Sequence, residues 1–153
     1  MSSSVYTLEV NTRERTQFLN ISAEVERLVD QSGIGEGICL LYVPHTTAGL
    51  TVNENADPAV TADMLMELNK LIPFDDGYRH SEGNSSAHIK ASLMGVSLFI
   101  FVNGGKLQLG TWQGVYLCEF DGPRRRKVMV KVVGEKDYLD ILIKHNVKND
   151  FSF

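Results

Sequence analysis

Long hydrophobic runs are missing from this chain of 153 residues. The longest apolar stretch, Val96 to Val102, is interrupted by Ser97 and falls far short of the roughly 20 residues a membrane-spanning helix needs. It reads as a strand, and no membrane partner is expected. The opening residues, Met1-Ser2-Ser3-Ser4-Val5-Tyr6, lack the basic and apolar regions of an export signal. Cysteine is scarce as well. Cys39 and Cys118 each sit in an apolar run with no CxxC partner and no neighbouring histidine, so two buried free thiols in a reducing cytosol are expected rather than a disulfide. Positive charge is not in excess: 15 Lys and Arg against 19 Asp and Glu give a net charge of −4, which argues against a nucleic-acid partner, because phosphate affinity grows with the cations presented. The one dense basic cluster is Arg124-Arg125-Arg126-Lys127. The glycines match neither the Walker loop nor the dinucleotide fingerprint.

What remains is an ordinary globular composition, long enough for one domain over 1–153 with a conventional core. No linker, repeat or low-complexity segment divides it. Two short β-like stretches, Val5–Val10 and about Thr16–Ile21, flank Asn11-Thr12-Arg13 as in a hairpin. Ser22 looks like a helix N-cap, followed by Val25, Leu28 and Val29 at helical spacing and by Gly33 as a stop. The nearly continuous apolar run Ile38 to Val43, ended by Pro44, suits a strand buried on both faces. Asp57 followed by Pro58 predicts a helix start, and Val60, Met64, Leu65, Leu68 and Leu71 continue it as an apolar stripe. A loop from Phe74 to Asn84 contains His80. Ser85 or Ser86 is expected to cap a short helix from about Ala87 to Met94, closed by Gly95. Strands follow at Val96–Val102, Lys106–Leu109, Val115–Phe120 and Lys127–Val133, with turns at Asn103-Gly104-Gly105 and Asp121-Gly122-Pro123 that read as hairpins. A last helix is expected from Lys136 to His145. Strands and helices mix without strict βαβ alternation, so the predicted fold class is α+β, a mixed or antiparallel sheet packed with two or three helices.

Chemistry is expected where polar side chains interrupt this frame. His45 ends a strand, His80 sits in a loop, and His88 falls in the first turn of a helix, where the dipole favours neutral or anionic groups. Three imidazoles with an open position would suit Zn²⁺ or another borderline divalent ion, although their spacing is no zinc-finger signature. Asp57 reads as a helix cap, and Asn53 and Asn55 as turn residues. Glu119 shares a strand face with Leu117 and Val115. A carboxylate there needs a partner, one of Arg124 to Lys127, or else serves as a general acid/base or metal ligand. Gly110-Thr111-Trp112-Gln113-Gly114 reads as a tight turn. The arginine cluster has the fork geometry to clamp a carboxylate or phosphate.

Three segments read together carry a resemblance. Pro44-His45-Thr46-Thr47-Ala48-Gly49-Leu50-Thr51-Val52-Asn53-Glu54, then Ser86-Ala87-His88-Ile89-Lys90-Ala91-Ser92-Leu93-Met94-Gly95, then Gly110-Thr111-Trp112-Gln113-Gly114-Val115 are similar to the YjbQ-like family, also called the secondary thiamine-phosphate synthase family. The match runs from about Val5 to Gly134. The resemblance implies a cytoplasmic homotrimer of α+β subunits with a metal site at the positions of His45, His80 and His88. It further implies Asn53 and Glu119 as catalytic residues and Gln113 and Arg126 as substrate-binding ones. The activity it implies is the capture of an aminopyrimidine pyrophosphate by a thiazole phosphate, with a divalent ion, Zn²⁺ or Mg²⁺, and Arg126 steadying the departing pyrophosphate. That activity is secondary in the family. The rival expectations are metal-dependent hydrolysis of a small phosphorylated metabolite and a trimeric protein that binds a small anion or metal without turnover.

Overall fold

The structure, a computed structural model, describes residues 4–136. In chain order the elements are β1 (Tyr6–Asn11), β2 (Gln17–Asn20), α1 (Ser22–Ser32), β3 (Ile34–Tyr42), β4 (Ala48–Glu54), α2 (Pro58–Leu71), α3 (Ser85–Met94), β5 (Ser97–Asn103), β6 (Lys106–Leu107), β7 (Gln113–Glu119) and β8 (Arg125–Lys136). The fold is α+β. A five-stranded sheet runs β1-β8-β3-β5-β6 and a three-stranded sheet runs β2-β7-β4, and every strand pair is antiparallel. Apart from Lys136, which ends β8, the helix expected at Lys136–His145 lies outside the described residues.

Alternation along β7 explains the layering. Val115 and Leu117 join the main core with Leu41, Val128 and Val130 of the large sheet. Tyr116 and Cys118 turn the other way, under Ala87 and Ala91 of α3 and Leu65 and Leu68 of α2. The small sheet is therefore covered on both faces. Helix α1 adds Val25, Leu28 and Val29 to the main core, an i, i+3, i+4 stripe, and Gly33 stops it at φ +67°. Asp57 caps α2 as expected, its Oδ1 accepting the Ala59 N–H at 2.9 Å. Both cysteines are free and buried. Burial, with Glu26 adding to it, pushes the Cys39 thiol up to about 12, and burial pushes Cys118 up as well.

Four local expectations are corrected. β1 and β2 form no hairpin: the first pairs with β8 and the second with β7, so the chain crosses between sheets at Thr12–Thr16. Asp121-Gly122-Pro123 is likewise a crossover, carrying the chain from β7 in the small sheet to β8 in the large one. Turn residues specify a change of direction, not which sheet receives the next strand. Ser22 is the first helical residue and not the cap; its hydroxyl accepts the Val115 N–H at 2.8 Å. Finally, β3 is not buried on both faces. Cys39 and Leu41 point into the core, whereas Ile38, Leu40 and Tyr42 point outward and are exposed.

Candidate functional site: a two-sign cleft at the sheet crossover

The end of the β4–β7 ladder marked by the pair Ala48↔Glu119 meets β8 at Arg126. Glu119 is fully buried. Arg126, 4% exposed, meets it bidentately: Nε donates to Oε2 at 2.7 Å and Nη2 to Oε1 at 2.5 Å. The carboxylate also accepts from the Asp121 N–H at 2.9 Å and from the Thr12 hydroxyl at 3.0 Å. Arg126 Nη2 reaches Thr47 Oγ1 at 2.7 Å as well. A buried ion pair holds only when its remaining hydrogen-bonding groups are met, and here they are. Glu119 is thus the paired strand-end charge. Its oxygens are enclosed by Arg126, Thr12 and the Asp121 amide, so the acid/base role expected of it has no access to a ligand. Arg126 does line the cleft beyond, and Nη1 is its one nitrogen without a partner among the described residues.

That cleft, about 1040 Å³, opens between the β3–β4 connection, the start of α3 and the β7–β8 crossover. His45 enters it from the first of these. Its Nε2 accepts the backbone N–H of Lys127 at 2.9 Å. With that lone pair engaged, the ring's proton resides on Nδ1. Burial, then the charge on Arg126, holds the His45 pKa below its ordinary value; Lys127 and Arg124 act in the same direction and Glu119 opposes them. His45 is therefore a neutral imidazole oriented by the backbone, with an N–H left to donate.

Asn84, Asp121 and Glu82, which also line the cleft, were not singled out from sequence as site residues. Asn84, the N-cap residue of α3, donates through Nδ2 to Asp121 Oδ2 at 2.9 Å, while its Oδ1 is buried and accepts nothing among the described residues. Arg124 Nη2 donates to the same Asp121 oxygen at 2.9 Å, and its Nε donates to the Asp121 carbonyl at 2.7 Å. Burial would raise the Asp121 carboxyl, but hydrogen bonds from Asn84 and Arg124 and the charges of Arg124 and Arg126 hold it below the ordinary range. Glu82 adds a second acid. The signal available for Asn84 and Asp121 was their place beside a helix start and a glycine turn, which pattern alone assigns to capping and turn chemistry.

The expected metal ligands do not fit an ion. His80 and His88 do meet, edge to face with ring centroids 5.6 Å apart. His88 lines both the cleft and a shallower hollow of about 490 Å³, whereas His80 lines only the hollow. His45 has no lone pair to give: Nε2 holds the Lys127 N–H, and Nδ1 bears the proton. Among the described residues no three His, Cys, Asp or Glu side chains stand together as a metal would require.

Asn53 and Gln113 lie elsewhere. The β4–β7 ladder carries them to its opposite end, at Asn53↔Gly114 and Glu54↔Gln113, six residues from Glu119 and so about 20 Å away at roughly 3.4 Å per residue. Asn53 Oδ1 accepts the Glu54 N–H at 2.7 Å, and Gln113 Oε1 accepts the Gly110 N–H at 2.8 Å. Gln113 serves its own turn, whereas Asn53, expected in a turn, lies within β4 and bonds to its strand neighbour, and neither lines the cleft.

This architecture is that of a known family. The family model described as UPF0047 protein YjbQ-like matches residues 6–135, and the chain belongs to that family. It is 48% identical over 129 residues to the UPF0047 protein YugU of Bacillus subtilis, covering 84% of this chain and 98% of that one. The crystal structure of a YjbQ/UPF0047 family protein from Clostridium acetobutylicum superposes with a TM-score of 0.82 at 53% identity, over 84% of this chain and 99% of that one. A YbjQ-like protein of unknown function from Sulfolobus solfataricus reaches the same TM-score at 34% identity, over 88% and 100%.

Proposed function

We propose that the cleft binds a small phosphorylated metabolite that also carries a nitrogen donor, and assists departure of its phosphate or pyrophosphate group. The observation that carries this reading is the His45–Lys127 hydrogen bond, which leaves an oriented N–H donor on a ring that lines the same cleft as Arg126, whose Nη1 has no partner among the described residues. Donors fixed in advance and shielded from water are the largest single source of stabilisation for charge that develops on a leaving oxygen. The opposite sign is provided too. The buried Asn84 Oδ1 accepts from no donor among the described residues, and Glu82 and Asp121 line the same space, which suits an amino group on the ligand. His88, on α3 facing the cleft, is placed to pass a proton to the leaving group. An aminopyrimidine pyrophosphate has both features, so thiamine-phosphate formation belongs to this reading. No step is routed through a metal, because the donors do not fit one.

The test is calorimetric titration of inorganic pyrophosphate into the full chain, followed by a thiamine phosphate assay with the aminopyrimidine and thiazole substrates. Binding weakened at least tenfold by His45→Ala, with turnover falling about a hundredfold as for the loss of one oxyanion donor, is the expected result. Pyrophosphate that fails to bind at millimolar concentration, or residual rates equal in wild type and His45→Ala, overturns the reading.

A further inference from the structure

The cleft is longer than one compact ligand needs, and its two ends differ in chemistry. Helix α3 forms one wall, about 16 Å from Asn84 to Gly95 at roughly 1.5 Å per residue. The β3–β4 connection forms the other, where Tyr42 to Thr47 reach at most about 17 Å when extended. The volume, about 1040 Å³, stands at the top of the roughly 300–1,000 Å³ of pockets that enclose a whole drug-sized ligand. A small phosphorylated metabolite held by His45 and Arg126 leaves much of it open.

Hydrogen bonds fix which residues stand at which end. His45, Glu82, His88, Asp121, Arg124 and Arg126 are the charged and imidazole groups that line the cleft. They gather where the start of α3 meets the β7–β8 crossover, with Asn84 and Arg124 both reaching Asp121 at 2.9 Å. At the other end the last turn of α3 meets the end of β3: the Val43 N–H donates to the Val96 carbonyl at 2.8 Å, and Tyr42 pairs with Ser97. Tyr42, Pro44, Ala91, Gly95 and Val96 line this end, with no charged side chain among them. Ser92 adds a hydroxyl that already donates to the His88 carbonyl at 3.0 Å. Tyr42 and Val96 are open to a ligand, 49% and 39% exposed. A tyrosine ring beside proline and small residues is a surface on which another ring can stack. An anion placed there would give up water and gain no counter-charge.

We propose that the Tyr42–Pro44–Val96 end of the cleft binds an uncharged aromatic group, held at the same time as the anion at the Arg126 end. The proposal rests on the reading of the cleft as a phosphate site and narrows its substrate class. The phosphorylated metabolite either carries a distal uncharged ring or is met by a second, uncharged aromatic molecule. A second phosphorylated reactant, such as a thiazole phosphate, meets no cation at this end.

The test is calorimetric titration of the full chain with 4-phenylbutyl phosphate and with butyl phosphate, which differ only by the ring. The ring should tighten binding about tenfold, as partial burial of a phenyl group supplies. That ratio should fall to about two or less in Tyr42→Ser and in Val96→Glu, where the stacking surface is lost or charged. Because it compares two ligands on one variant, a damaged fold cannot imitate the change. Benzyl alcohol, titrated with and without saturating pyrophosphate, separates the two sources of the ring. Binding beside pyrophosphate assigns the ring to a second molecule, and an advantage seen only for the tethered ring assigns it to the same ligand. Equal affinities for the two phosphates together with no binding of benzyl alcohol overturn the proposal, as does a ratio that survives both substitutions; pyrophosphate that still binds then leaves the phosphate reading standing. Pyrophosphate that fails to bind overturns that reading and this one with it.

Discussion

The two ends of the β4–β7 ladder carry polar residues that look alike in sequence and behave differently in the fold. At one end Glu119 is sealed by Arg126, Thr12 and the Asp121 amide. At the other, Gln113 is exposed and its side chain bonds to its own turn at Gly110. What differs is the neighbour. The large sheet closes over the first end through β8, and among the described residues no strand of that sheet closes over the second. A polar side chain at a strand end becomes part of a site when another element removes its water, and remains turn chemistry otherwise.

The sharpest way to break this contrast is Glu119→Ala. Leaving the Arg126 guanidinium buried without its anion should cost about 3–5 kcal/mol, read from denaturant unfolding. Arg126→Met combined with Glu119→Leu should recover only part of that loss, since the apolar pair removes the unpaired charge but leaves the Asp121 N–H and the Thr12 and Thr47 hydroxyls without their partners. A smaller effect is expected at Gly49 of β4, where a Cβ would lie 2.7 Å from the Gly95 carbonyl and 2.9 Å from Met94 Cβ. Gly49→Ala should destabilise by about 1–3 kcal/mol as overpacking and push α3 off the cleft, weakening pyrophosphate binding. Acid should act on the sealed end alone. The His45 pKa is lowered in the fold, so as pH falls below the ordinary value near 6.5 the unfolded chain takes up a proton that the folded ring refuses. Stability should therefore decline from about pH 6.5 downward, and His45→Gln should flatten that part of the profile. At the open end Gln113→Ala and Asn53→Ala should each change stability by no more than about 1 kcal/mol, and leave pyrophosphate affinity unaltered. A tenfold loss of affinity at either would erase the distinction between the two ends.

Much of the fold was legible because period and punctuation agree. The Val25, Leu28, Val29 spacing, Gly33 as the stop and Asp57-Pro58 as the start all appear where local chemistry puts them. Sheet membership was not legible, since β1 and β2 and again β7 and β8 are joined by ordinary turn residues yet belong to different sheets. For the site, the sequence marked His45, His88, Glu119 and Arg126, all at the crossover end. It did not disclose that Arg126 would answer Glu119, or that a backbone amide would take the His45 lone pair. Both depend on which strand β8 lies beside. Lys90 shows the limit most plainly. Placed among alanines on α3, it is completely buried, with Nζ donating to Asn69 Oδ1 at 2.7 Å and lying over the Phe74 ring. Burial, then the nearby Arg15, lowers its pKa. No spacing rule announces a lysine that a distant loop has enclosed.

Strand β8 makes the cleft an all-or-none object. Successive residues of a strand face opposite ways, so sliding β8 by a single position along β1 and β3 would turn the Arg126 guanidinium out to solvent and drive Lys127 inward. Glu119 would lose its counter-ion and His45 its tether in the same movement. The cleft cannot loosen by degrees: its electrostatics are indexed to the pairing of Val10 with Arg126 and Glu9 with Lys127, and they are inherited intact or forfeited together.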